Sequence, residues 1–173
     1  MVDLPLGTWI VLALVDEAPT HGFAVAALTA EGAEIGRAWA IPRPLVYRSI
    51  DRLTELGLVA ARSTEAGARG PVRSIVASTP AGHAAAADWL DRPVTHVRDM
   101  RSELLVKIAL RMRRALGLGP LIVAQRAVLT DVHAALDQQR RTADGFGRVL
   151  LSWRTENAQA ALRFLDDLDD LDD

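Results

Sequence analysis

Apolar residues recur at helical spacing in three short blocks at the start of the chain, give way to two brief strand-like runs, and then return to helical spacing for the remainder. Thr8 to Asp16 places Trp9, Ile10, Leu12, Ala13 and Leu14 ahead of Ala18-Pro19, which predicts a first short helix stopped at the proline. Thr20 is a favourable N-cap type, and Phe23, Val25, Ala26 and Leu28 form an apolar stripe up to Gly32, which predicts a second helix. Gly32 to Ala40 reads as a connection. Pro42 or Pro44 suits the first turn of a third helix, whose N–H groups lack intrahelical partners anyway. Val46, Ile50 and Leu53 then recur at helical spacing, with Gly57 as the terminating residue. The opposite faces of this helix carry Arg43, Tyr47, Arg48, Asp51, Arg52 and Glu55.

Directly after Gly57, Leu58 to Arg62 and Val72 to Ser78 read as two short strands joined by the turn-forming stretch Glu65 to Pro71. Thr79-Pro80 combines an N-cap with a proline at the first helical position and opens a fourth helix through Trp89 and Leu90 to Pro93. Helices followed by a two-stranded hairpin define a winged helix-turn-helix over Leu6 to Gly82. The fold class expected is mainly α with a small two-stranded β-wing, divided into a winged domain over 1–92 and a helical domain over 93–173. The helical part shows three periodic segments, broken at Gly117 to Pro120 and around Asp144 to Gly147. Their apolar positions are Val97, Met100, Leu104, Ile108 and Met112; then Leu121, Val128, Val132 and Leu136; then Val149, Trp153, Ala161, Leu165 and Leu168. Apolar stripes on helices appended to a small domain require a partner, and a second copy of the chain is the commonest one, so a symmetric homodimer is expected.

Composition narrows the function classes. A chain of 173 residues, half apolar and a quarter charged, has room for one or two globular modules. The absence of cysteine excludes disulfide scaffolding, thiolate zinc sites and cysteine nucleophiles, and a reducing cytoplasm is the expected compartment. The N-terminus lacks a basic leader, and the apolar run Trp9 to Val15 is too short for a membrane span. A net charge of -2 argues at first against nucleic acid. The distribution reverses that argument. Between Arg37 and Arg73 seven arginines face only Asp51, Glu55 and Glu65, while the compensating acid is concentrated in Asp166, Asp167, Asp169, Asp170, Asp172 and Asp173. Lys107 is the lone lysine.

The stretch Pro44 to Val59 resembles the third helix of the PadR family of transcriptional regulators: an aliphatic-Tyr pair (Val46-Tyr47), then Arg52-Leu53, then Gly57-Leu58-Val59. Thr20-His21-Gly22-Phe23 is similar to that family's opening of the second helix. Gly70-Pro71-Val72-Arg73 and Thr79-Pro80-Ala81-Gly82 are similar to its wing and wing exit. Two positions depart from the pattern, with Arg48 where proline is frequent and Val76 where tyrosine is frequent. The resemblance implies a DNA-binding regulator, usually a repressor, that dimerises through its helical C-terminal domain and in several cases releases DNA on binding a small, often aromatic, compound.

On such a fold, a helix seated in the major groove presents its N-terminal side chains to base edges, which singles out Arg43, Tyr47 and Arg48. Solvated helix-face arginines and a packed tyrosine are the competing readings. Arg52 lies a turn deeper, where a salt bridge or phosphate contact competes with base reading. Thr20, as cap of the second helix, and His21 beside it could meet a phosphate at that helix N-terminus or serve structure alone. Arg69 and Arg73 belong to the wing, where arginine follows the backbone or enters the minor groove. Trp39 and Trp153 are the candidates for an aromatic effector site, with core packing as the alternative. Nothing in the chain spells a nucleophile-base pair, a phosphate-cradling loop or a cofactor fingerprint, so no enzyme activity and no cofactor are expected. His96, Asp99 and Glu103 approach metal-ligand spacing, but a solvated charged face is the better explanation of them. The main rival is a winged module that binds protein instead of a pseudo-palindromic DNA operator. Such a module would have no use for the basic face.

Overall fold

The computed structural model describes residues 3–67 and 70–169. These fall into two compact units. The first comprises Met1–Leu90 with Leu105–Arg114, and the second Asp91–Leu104 with Ala115–Asp173. The chain leaves the first unit after Leu90 and returns to it once, at Leu105–Arg114.

The first unit is built around α1 (Leu6–Glu17), in which every residue from Thr8 to Val15 is buried. A helix apolar on all sides belongs at the centre of its domain. The others wrap it: α2 (Gly22–Leu28), α3 (Arg43–Glu55), the hairpin β1 (Val59–Gly67) and β2 (Gly70–Ser78), α4 (Pro80–Asp91) and α5 (Leu105–Arg113). They contribute Val25, Val46, Leu53, Val59, Val76, Trp89, Leu90, Val106 and Leu110 to one core, with the Trp9 and Trp89 rings stacked 5.7 Å apart. Lys107 is fully buried in this unit, its Nζ 5.0 Å from the Trp89 ring centre. A cation held over an indole recovers part of the attraction it loses on leaving water.

Two glycines set the path of the chain here. Gly57 has φ +69°, and the N–H groups of Leu58 and Gly57 donate to the carbonyls of Leu53 and Thr54. This pair of bonds closes α3 and turns the chain straight into β1. Gly82, in the first turn of α4, lies against the carbonyl of Leu58 so closely that a Cβ there would sit 1.9 Å from the oxygen. Thr79 caps α4 as its position predicts, its Oγ1 accepting from Gly82 N–H at 3.1 Å and donating to the Gly57 carbonyl at 2.7 Å. The strands are longer than their sequence suggests. They extend to Gly67 and Gly70, and backbone irregularities interrupt the register after Ala61 and after Glu65. Glu65, Gly67 and Gly70, expected in the turn, are therefore paired in the ladder, because strand pairing overrides local turn preference.

In the second unit, α6 (Gly119–Thr142) and α7 (Gly145–Asp169) pack together as a hairpin. Leu121, Ile122, Leu129, Ala158, Leu165 and Leu168 are buried, and Arg126 pairs with Asp166 across it. Buried Gln125 holds Val94 by two bonds, accepting from its N–H and donating to its carbonyl at 2.8 and 2.9 Å. The first periodic segment is not one helix. It runs through a 3-10 turn (Val97–Asp99) and a π turn (Met100–Leu104) before becoming α5, and at that point the chain changes unit. The predicted stripe of α7 is also divided. Leu165 and Leu168 are buried, whereas Phe146, Val149, Leu150 and Trp153 are exposed, Trp153 by 69%.

Candidate nucleic-acid interface

Helix α3 is sharply two-faced. Val46, Ser49, Ile50 and Leu53 point into the core, and the Ser49 hydroxyl is hydrogen-bonded to that of Thr8 on α1 at 3.2 Å. With that face fixed, Arg43, Tyr47, Arg48, Asp51, Arg52 and Glu55 are exposed. The cations at the two ends of this face differ. Arg52 is paired with Glu55 at 3.1 Å, the salt bridge expected as its competing role. Among the described residues Arg43 has no carboxylate partner; its guanidinium lies 5.2 Å from the centre of the Phe23 ring and 5.7 Å from that of Tyr47. Tyr47 in turn packs against Gly22, where a Cβ would come within 2.7 Å of the tyrosine ring. The glycine of the His-Gly-Phe triplet is thus required by the position of the tyrosine.

The opening of α2 corrects one expectation. Thr20 does not cap the helix. Its N–H donates to the Val76 carbonyl at 2.9 Å and its carbonyl accepts from Val76 N–H at 2.7 Å, forming a bridge onto the inner strand of the wing. Committed to that bridge, the chain is still extended at Thr20, and the helix begins after the next residue. His21 is the N-cap, its Nδ1 accepting from Ala24 N–H at 3.0 Å. The imidazole does the capping usually left to a hydroxyl or carboxylate.

On the wing, Arg73 lies opposite Glu65 in the backbone register. Its side chain lies outside the described residues, as does Arg69 altogether. Between α2, α3 and the wing is a groove of about 750 Å³, with His21, Phe23, Arg43, Tyr47, Ser74 and Val76 among its walls. A second groove, of about 770 Å³, runs between α3 and the start of α1, lined by Leu6, Trp39, Leu45, Arg48 and Arg52. Trp39 thus lines a groove within the first unit, while Trp153 lies in the second unit on the exposed stripe of α7. Among the described residues no three His, Cys, Asp or Glu side chains converge to hold a metal ion, His96, Asp99 and Glu103 included.

Residue spacing carries no sign of the polar junction that meets the base of the wing. The Asp16 carboxylate at the end of α1 is 1% exposed. It accepts from Ser78 Oγ at the base of β2 at 2.6 Å, from His83 Nδ1 on α4 at 3.0 Å, and from Arg114 just past α5. Burial alone would raise its pKa; the bonds from Ser78, Arg114 and His83 outweigh that and hold it below the ordinary value. Beside it Arg113 bridges Glu17 at 2.8 Å and Glu34 at 2.7 Å, and its own pKa is raised, chiefly by the Glu17 hydrogen bond. The partners of Asp16 are 62, 67 and 98 residues away, a separation at which no spacing rule operates.

Taken as a class, the chain is a winged helix-turn-helix followed by a helical hairpin. No protein-family model and no curated protein matches it. Among solved structures it is similar to Bacillus subtilis PadR in complex with operator DNA, with a TM-score of 0.50 and 16% sequence identity over 96% of this chain and 98% of that one. The fold is that of a PadR-like winged helix. No helix among the described residues is long and apolar enough to cross a membrane.

Proposed function

We propose that the protein is a dimeric, sequence-specific DNA-binding transcriptional regulator that acts as a repressor and is released by a small effector. The observation that carries this reading is the outer face of α3. Its first two turns display Arg43, Tyr47 and Arg48 together, held outward by a buried face that is anchored to α1. In a winged helix this is the element and the end of it that enters the major groove. The similar B. subtilis structure holds operator DNA, which favours DNA over a protein partner for this face.

Two of the roles are read from local contacts. Arg48 is exposed and reads a base edge; Arg52, partly neutralised by Glu55, contributes less. Arg48→Ala is expected to weaken binding to the preferred duplex by about 2 kcal/mol and to broaden its base preference. A DNA-shift titration in which the variant keeps both affinity and preference would overturn this assignment.

The dimer is supported by Phe146, Val149, Leu150 and Trp153, which follow i, i+3, i+4, i+7 spacing on α7 and leave an apolar strip in water in the single chain. A second copy would bury it and set two recognition helices on half-sites about one DNA turn apart. Light scattering should give about twice the chain mass of 18.7 kDa; the mass of one chain at micromolar concentration would contradict the dimer. Trp39, beside Arg48 in its groove, and Trp153 on the strip are the aromatic residues through which an effector would act.

A further inference from the structure

We infer that Phe23 is a positioning residue for Arg43, holding the guanidinium ready for DNA; this rests on the DNA-binding reading above. Phe23 reads in sequence as part of the apolar stripe of α2, yet it is 49% exposed. Val25 and Ala26 fill the core from that helix instead. The Phe23 ring lines a shallow hollow together with Ala26, Ala27, Ala30, Ile41 and Arg43. It also lines the groove between α3 and the wing. Half exposed, with the His21 ring 6.3 Å away and both hollows at its edge, the ring is not accounted for by core packing.

Arg43 raises the complementary question. It is the first residue of α3, between Pro42 and Pro44, and the first turn of that helix contains no acidic residue. A cation at a helix N-terminus opposes the helix dipole, so local stability does not account for it. Pro42 and Pro44 restrict the backbone on both sides, leaving side-chain torsions as the main freedom to be removed. The faces of Phe23 and Tyr47 remove it: both rings lie within 6 Å of the guanidinium carbon, the range of cation-π attraction. The positive helix end and the held guanidinium then act together on an electronegative target, a phosphate or the edge of guanine. Of the two rings, Tyr47 sits one turn along the same helix, whereas Phe23 comes from α2 and ties the reading side chain to the neighbouring element.

The test uses the full-length protein and a duplex selected by the wild type from a pool of random-sequence DNA. Phe23→Leu, Phe23→Tyr, Arg43→Ala and the Phe23→Leu/Arg43→Ala pair are titrated on that duplex, with thermal unfolding run alongside. Phe23→Leu should lose roughly two- to fivefold in affinity, the size of an exposed cation-π contact. Its salt dependence should stay unchanged because no charge is removed. Phe23→Tyr should restore wild-type binding, and in the Arg43→Ala background Phe23→Leu should have no further effect. An equal loss from Phe23→Leu in both backgrounds, or no loss in either, would overturn the inference while leaving the DNA-binding reading intact. If the wild type enriches no sequence, the DNA-binding reading fails and the inference fails with it.

Discussion

Gly82→Ala is expected to destabilise the winged unit by about 3 to 4 kcal/mol, a loss produced by one methyl group. The added Cβ would stand 1.9 Å from the Leu58 carbonyl oxygen, inside any tolerable contact, and the obstacle is backbone and cannot rotate away. That same oxygen accepts from Thr79 N–H at 2.9 Å, and the Thr79 hydroxyl bonds the adjacent Gly57 carbonyl. Moving α4 outward to make room would therefore break the bonds that join the exit of α3, the start of β1 and the wing exit. Chemical denaturation monitored through the tryptophans should show the loss. An unfolding midpoint equal to that of the wild type would mean that the close approach of α4 to β1 is wrong.

Asp16→Asn is expected to cost about 3 kcal/mol at neutral pH, at the low end for breaking a buried charge pair because Arg114 keeps 15% exposure to water. The substitution leaves the Arg114 guanidinium without its carboxylate and weakens the tie among α1, the base of β2, α4 and the end of α5. The pH dependence has a definite sign. The folded carboxyl is held below its ordinary value of 3.8, so the stability it contributes is present above that value and is lost as pH falls through the lower folded pKa. Wild-type stability should thus decline across this acid window more steeply than that of Asp16→Asn, and the two should converge at its lower end. Parallel acid-unfolding curves would contradict the assigned role of Asp16.

The parts of the fold that were legible in the sequence are those decided locally. Val46, Ile50 and Leu53 mark the buried face of α3 by spacing alone; Gly57 and Thr79-Pro80 mark its end and the next beginning by backbone chemistry. The outward display of Arg43, Tyr47 and Arg48 follows from that buried face. What escaped was decided by distant partners. Thr20 and His21 are both able to cap a helix, and only the bridge from Thr20 to Val76 chooses between them. Phe23 fits an apolar stripe by spacing, and only the alanine-walled hollow beside it shows that the ring faces outward. Periodicity placed Met100, Leu104 and Ile108 on one helix, but it carries no information on which neighbours bury them, and the chain changes unit between Leu104 and Leu105. Nothing in the spacing around the lone lysine shows that it is buried against Trp89.

These features converge on one claim, that the first two turns of α3 read DNA. In the proposed reading, stability and DNA recognition fall to different residues: Gly82 and Asp16 fix the frame, whereas Arg43 and Arg48 stand on its exposed face and their removal should not open the core. The most direct measurement is therefore a selection from random-sequence duplexes, at fixed salt and with competitor DNA, run side by side on the wild type and on Arg43→Ala/Arg48→Ala. The wild type should enrich one two-fold related sequence, and the variant, folded to the same thermal midpoint, should lose that enrichment while keeping weak salt-sensitive binding. Enrichment of the same sequence by both proteins, or of none by the wild type, would contradict the claim.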